Sequence, residues 1–375
     1  MLPGNRMHPD KPLTQRALAP EEHTLSQFDS VDVLSISNLH CKYGNTEVVK
    51  SASFSLHSGE IGCLLGPSGC GKTTILRTIA GFQEIDQGDI KVDGQIIASN
   101  NKLLPPEKRN VGMVFQDYAL FPHLSVLENV MFGLKNKSVE SEQRALDMLA
   151  TVKLEALANR YPHELSGGQQ QRIALARALA PKPKLILLDE PFSNLDTELR
   201  RTLSLEVRDI LKEQNTSAIL VTHDQEEAFT VADKIGIMMN GQIQQWGTPY
   251  DLYHEPLNRN IASFIGKGSF LPAQVETAHS VSCELGVATS AQPLLHPEGA
   301  VVDVLVRPED IVSDKDSALV VKITEKHFWG ASCYYGLELP SKQLISTVLS
   351  SHLNFEVGDH IGIRFDADHL VTFSR

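Results

Sequence analysis

An α/β core built round a phosphate-binding loop, followed by a small all-β domain, is the architecture this 375-residue sequence predicts. Three observations predict it. The apolar run Ile61-Gly62-Cys63-Leu64-Leu65 reads as a buried strand, Gly66-Pro67-Ser68-Gly69-Cys70-Gly71-Lys72-Thr73-Thr74 as a glycine loop, and Ile75 to Ala80 as the start of a helix. Further apolar strands, Leu185–Leu188 and Ala218–Thr222, recur downstream among helical segments. From about Gly266 the texture changes to short β-rich runs with turn signals between them.

The elements follow in order. Residues 1 to 30 are polar and proline-bearing, without a secretory apolar region, and read as a disordered extension, with Met7 as another candidate start. Val31 to Gly59 alternates in the manner of antiparallel strands. In the glycine loop, backbone N–H groups can point at the β- and γ-phosphates of a nucleotide, and the helix start adds its dipole. Lys72 supplies a mobile positive charge and the Thr73 hydroxyl a ligand for Mg²⁺. Cys70 lies inside this loop, where the helix N-terminus is expected to lower its thiol pKa and alkylation to block the nucleotide. Residues 117 to 181 turn helical, with Ala145, Met148, Leu149 and Val152 at helical spacing. Ile235 to Ile243 reads as a hairpin with an Asn240-Gly241 turn. Residues 249 to 268 read as a connecting helical stretch, with Tyr253, Leu257 and Phe264 as packing residues. Runs at Ala300–Val306, Ala318–Ile323 and His360–Phe365 then suggest a barrel over 269 to 375.

A second glycine element, Leu165-Ser166-Gly167-Gly168-Gln169, opens a strong helix former about a hundred residues after the first. One nucleotide needs only one such anion site. A head-to-tail dimer uses both, each ATP lying between one chain's Lys72 loop and the other chain's Ser166 loop.

At these residues the sequence resembles the ATP-binding-cassette ATPases. Leu165 to Gln169 match their signature, and Leu185-Ile186-Leu187-Leu188-Asp189-Glu190-Pro191 follows at the expected distance. The resemblance implies a P-loop core with an inserted helical subdomain and an antiparallel β subdomain. It also implies site roles. Tyr43 stacks on adenine, Gly66 to Thr74 hold the phosphates, and Thr73, Gln116 and Asp189 hold Mg²⁺. Glu190 acts on the attacking water with Gln116, and His223 touches the γ-phosphate. Ser166, Gly167, Gly168, Gln169 and Asp196 reach the nucleotide of the opposite chain. Val306-Arg307-Pro308-Glu309-Asp310 resembles an element of the OB-like regulatory domain that follows many importer ATPases; alone it reads as a charged surface turn.

The same resemblance implies the partners: a second copy of the chain, integral membrane permease subunits and, indirectly, a solute-binding protein. It places the ATPase on the cytoplasmic face of the inner membrane. Phe121 and His123 are candidates for permease contact, Leu120 and Leu124 for core packing. Arg160 to Glu164 and Phe264 to Ala273 look most like ferric-iron importer ATPases; similar subunits serve polyamines, sulfate and sugars.

Composition bounds these readings. No run of about 18 apolar residues exists, so no spanning helix is predicted. The net charge is −12, and Gly268 to Arg375 carries seven Lys/Arg against fourteen Asp/Glu. Such an acidic barrel is a poor binder of nucleic-acid backbone, so a regulatory or dimer-supporting role is preferred. Neither a second P-loop nor sustained heptads appear, so a soluble cassette ATPase acting on ribosomes or DNA is the more remote alternative. The five cysteines are scattered without metal spacing and read as reduced thiols, and the histidines of the last domain (His327, His352, His360, His369) as surface residues.

Overall fold

A computed structural model describes residues 32–134, 138–367 and 369–375. The reading of residues 1 to 30 as a disordered extension lies outside the described residues.

The described residues open with the paired strands β1 (Asp32–Tyr43) and β2 (Thr46–His57). Next come β3 (Ile61–Leu65), α1 (Lys72–Ala80), β4 (Gln87–Val92), β5 (Gln95–Ser99), β6 (Lys102–Leu103) and β7 (Val111–Val114). Three helices follow: α2 (Val126–Met131), α3 (Val139–Thr151) and α4 (Gly167–Leu179). The chain then returns through β8 (Leu185–Asp189), α5 (Thr197–Glu213), β9 (Ser217–Thr222), α6 (Gln225–Val231), β10 (Lys234–Met239) and β11 (Gln242–Gly247). Helices α7 (Pro249–His254) and α8 (Arg259–Ile265) lead out of this part.

Two sheets result. One is antiparallel, in the order β2-β1-β4-β5-β6; the other runs β11-β10-β3-β9-β8-β7. In the second, β10, β3, β9, β8 and β7 are parallel and only β11 is reversed. Every residue of β3, β8 and β9 is buried, which is why these strands read as unbroken apolar runs: a parallel strand is covered on both faces. The β10–β11 turn uses Asn240 (φ 52°) and Gly241 (φ 84°), the two left-handed residues that a tight hairpin demands.

A buried arginine ties α1 to the antiparallel arm. Arg109 is only 2% exposed. Its guanidinium donates to the carbonyls of Thr78 (2.6 Å) and Ile79 (3.0 Å), at the end of α1, and to Leu104 O (2.8 Å). Helix-end carbonyls have no partner within the helix, and a cation there also meets the negative end of its dipole.

The last part is all-β. Its strands are β12 (Ser269–Thr277), β13 (Ser280–Cys283), β14 (Gly286–Thr289), β15 (Val301–Val306), β16 (Ile311–Ser313), β17 (Val320–Phe328), β18 (Ser332–Glu338), β19 (Leu344–Ser350), β20 (His360–Phe365) and β21 (Thr372–Ser374). They form two five-stranded antiparallel sheets, β14-β13-β12-β15-β21 and β16-β20-β17-β18-β19, round one apolar core. Strand β12 shows the pattern: Leu271, Ala273 and Val275 point in, Pro272, Gln274 and Glu276 out.

Arg307 is not part of a charged surface turn. It is 5% exposed, donates to Tyr253 O, Ala262 O and Lys267 O, and lies 4.4 Å from the centre of the Tyr253 ring. The Tyr253 hydroxyl in turn donates to Glu309. The segment thus fastens the β domain to α7 and α8. Leu257 corrects the sequence reading: it is 70% exposed, and the connecting helices pack instead through Leu252, Ile261 and Ile265. The reason is local, since Leu257 falls in the bend between α7 and α8.

Replacing Arg109 by Met removes a donor from three carbonyls, of which Thr78 O keeps the N–H of Gly81. We expect a loss of about 3 kcal/mol in urea-denaturation stability; a change below about 1 kcal/mol would contradict the capping role.

Candidate nucleotide site

The glycine loop is shaped by close contacts on both sides. A Cβ on Gly66 would stand 2.1 Å from Met238 O, near the end of β10. Gly71, the N-cap of α1, has φ 107°, and a Cβ there would meet Met238 Cε at 2.7 Å and Val48 O at 2.9 Å. No side chain fits either place. The loop is therefore pinned between β10 and β2. Lys72, the first residue of α1, is 5% exposed and donates to Gly66 O (2.7 Å) and Pro67 O (3.0 Å). A fixed positive charge thus sits at a helix start inside a curled backbone, the arrangement that binds phosphate.

Because β3, β9, β8 and β7 lie side by side and run in parallel, their carboxyl ends open on one edge. Each delivers part of the set: the glycine loop after β3, His223 after β9, Asp189 and Glu190 at the end of β8, and Gln116 after β7. Hydrogen bonds and one close ion-pair contact connect them. Thr73 Oγ1 donates to Asp189 Oδ1 at 3.2 Å. His223 Nδ1 lies 3.5 Å from Glu190 Oε2. Gln116 Nε2 donates to Ser193 Oγ (3.3 Å), which donates to Glu190 O (3.0 Å). Asn194 Nδ2 holds the Gln116 carbonyl at 2.9 Å. From the sequence, Ser193-Asn194-Leu195-Asp196 resembles only the loop that crosses the dimer interface; the bonds of Ser193 and Asn194 to Gln116 of their own chain join parts far apart in sequence and were missed.

Burial pushes the Asp189 carboxyl above the usual carboxylate range, and neighbouring Glu190 adds to this; the Thr73 hydroxyl and the charges of Arg77 and Lys72 pull it back. A dication beside Asp189 would reverse the balance. Thr73 and Asp189 offer two adjacent oxygen donors, a fit for a hard ion such as Mg²⁺. Behind His223, the Thr222 hydroxyl is bonded to the buried Glu227, and Asp224 caps α6 through the N–H groups of Glu226 and Glu227. Both residues flanking His223 are therefore fixed.

The Ser166 loop and Asp196 are not joined to this set by hydrogen bonds. Ser166 caps α4, accepting from Gln169 N (3.4 Å) while Gln169 Oε1 accepts from Ser166 N (2.9 Å). Asp196 caps α5, accepting from Leu199 N at 3.0 Å. Gly168 packs so closely on α5 that a Cβ would meet Leu203 Cδ1 at 2.8 Å. Tyr43 is exposed at the tip of the β1–β2 hairpin. Phe121 is half-buried, its ring 4.2 Å from that of the exposed Phe132, while His123 is exposed; Leu120 and Leu124 are partly buried.

Residues 49–193 match the family model of the ABC transporter, and residues 304–373 that of the TOBE domain. The spermidine/putrescine import ATP-binding protein PotA of Marinobacter nauticus is 42% identical over 80% of this chain and 83% of its own. The chain belongs to the ABC transporter ATPases. The Fe(3+) ions import ATP-binding protein FbpC of Mesorhizobium japonicum is 41% identical, over 82% of this chain and 87% of its own. The crystal structure of a nucleotide-free ATP-binding cassette from an ABC transporter superposes with a TM-score of 0.53 at 25% identity, covering 58% of this chain and 92% of that one. The fold of this ATPase is thus a cassette core with an all-β TOBE domain behind it. Among the described residues no helix is long and apolar enough to cross a membrane.

Cys70 departs from expectation. Its thiol is buried, and burial raises its pKa above the ordinary cysteine range, although the nearby Lys72 ammonium pulls the other way. Desolvation wins because the sulfur faces the loop interior. At pH 7 iodoacetamide should therefore modify Cys70 at least about tenfold more slowly than a free thiol, with the rate climbing above pH 9. Peptide mapping by mass spectrometry reads this; fast labelling at pH 7 would contradict it.

Proposed function

We propose that this chain is the ATP-hydrolysing subunit of a binding-protein-dependent importer. It acts as a homodimer on the cytoplasmic face of the membrane, with permease subunits as its direct partners. The observation that carries the reading is the single edge of the parallel sheet on which Lys72, Thr73, Asp189, Glu190, Gln116 and His223 meet.

The roles follow from this placement. Tyr43 stacks on adenine, and the loop Gly66–Thr74 takes the phosphates. Lys72 exchanges the Gly66 and Pro67 carbonyls for phosphate oxygens. When bound, Mg²⁺ neutralises phosphate charge; Thr73 and Asp189 would hold it, with Gln116 as a third donor. Glu190 polarises the attacking water, and His223, 3.5 Å away, is placed to stabilise charge on the transferring phosphoryl group. Ser166, Gly167, Gly168, Gln169 and Asp196 complete the site of the opposite chain. Their polar groups bond to their own helix starts, so the loop is rigid before it meets a nucleotide. Closing and opening of the dimer is delivered to the permease.

The cargo never touches this subunit. We propose ferric iron, on the likeness of Arg160–Glu164 and Phe264–Ala273 to ferric-iron importer ATPases and on the relative named for Fe(3+) import. A polyamine is the second reading, favoured by the relatives named for spermidine/putrescine import at 40–42% identity. Both cargoes are small cations.

Lys72→Ala should abolish ATP binding, and Glu190→Gln should lower kcat at least about a hundredfold while leaving ATP bound. Wild-type turnover in both purified variants would remove the site assignment. In cells carrying Lys72→Ala, uptake of ⁵⁵Fe³⁺ should fall and that of ¹⁴C-spermidine should not; the reverse pattern would move the cargo to polyamine.

A further inference from the structure

Arg177 stands on α4, eleven residues after Ser166 and thus about 16 Å along the same helix. Its guanidinium leaves its own helix for the loop that follows Gln116. Nη1 donates to Ala119 O at 2.6 Å and Nη2 to Tyr118 O at 2.8 Å. Tyr118 and Ala119 have φ values of 63° and 45°, the left-handed region that residues with side chains seldom enter. Such a turn persists only where its surroundings over-determine it. Arg177 is half-buried; burial pulls its pKa down, and the nearby Asp117 charge pulls the other way. The face of the Phe121 ring lies 5.7 Å from the guanidinium carbon. From the other side the fully buried Asn129 donates to Phe121 O, Leu124 O and Ser125 O, fixing the far end of the same loop.

We infer that Arg177 is a positioning residue for Gln116. Its planar fork bridges two successive carbonyls of a strained turn, a geometry that suits guanidinium and that a lysine ammonium, as a point charge, reproduces only in part. The start of α4 carries the Ser166 loop, and its last turn grips the turn two residues beyond Gln116. One rigid helix therefore sets both the loop offered to the opposite chain and the glutamine of its own chain. Displacement at Phe121, at the edge of the same turn, reaches Gln116 and α4 together. The inference rests on the reading that Gln116 serves the ATP site.

The test uses the purified full-length ATPase and four variants: Gln116→Ala, Arg177→Lys, Arg177→Met and the double variant Arg177→Met/Gln116→Ala. Steady-state kcat and KM for MgATP are measured with thermal melting as a control. Arg177→Met should lower kcat about tenfold with KM held within about twofold, and Arg177→Lys should recover part of the loss. The double variant should be no slower than Gln116→Ala alone, because Arg177 acts through Gln116. Losses that multiply in the double variant would overturn the inference, as would wild-type kcat in Arg177→Met. If Arg177→Met fails to fold, the Arg177→Lys/Gln116→Ala pair carries the same comparison. A fully active Gln116→Ala is a separate result: it removes Gln116 from the ATP site and the inference with it.

Discussion

The parallel pairing of β3 with β9, and of β9 with β8, is the constraint on which the rest depends. In register, Leu65 lies opposite Thr222 and Asp189 opposite Val221, so the three strands end in step. The ladder continues one residue further, where Glu190 N donates to Val221 O at 3.0 Å and holds Glu190 with a φ of 44°. The glycine loop, His223 and the two acids are therefore delivered to one edge by backbone geometry before any side chain acts. A slip of one residue would turn every side chain of the slipped strand to the other face and separate Thr73 from Asp189.

Opposing charges are built into that edge. Lys72 is buried with its ammonium satisfied by carbonyls, and Asp189 is buried with its carboxyl pushed upward. Each has been taken from water at a cost, and on the proposed function each would be completed by a polyanion bound with a dication. Groups desolvated in advance would lower the reorganisation needed when a nucleotide enters.

How much of this was legible in the sequence depends on range. The glycine loop is local: strand, glycines, lysine and helix are contiguous, and the contacts of Gly66 and Gly71 explain why nothing larger stands there. The Asn240-Gly241 hairpin was equally local. Arg109 and Arg177 were not readable, because their partners, Leu104 O apart, lie 30 or more residues away on other elements, and nothing beside them in the chain marks a buried guanidinium. Arg307 was seen only as part of a short motif; burial under α7 and α8 made it a joint. Cys70 misled because the helix dipole was weighed and burial was not. Ser166 and Asp196 show why motif and structure must be read together, since each caps its own helix as well as standing where the resemblance places a contact to the opposite chain.

The most direct test of the central claim, that each site is shared between two chains, is complementation. Lys72→Ala and Ser166→Arg subunits are purified separately, mixed, and assayed for single-turnover ATP hydrolysis. Each alone should be inactive. In a mixed dimer one site keeps an intact Lys72 loop from one chain and an intact Ser166 loop from the other, so hydrolysis should return on mixing. If the mixture stays as inactive as its parts while wild-type subunits mixed in the same way remain active, the shared-site account is wrong.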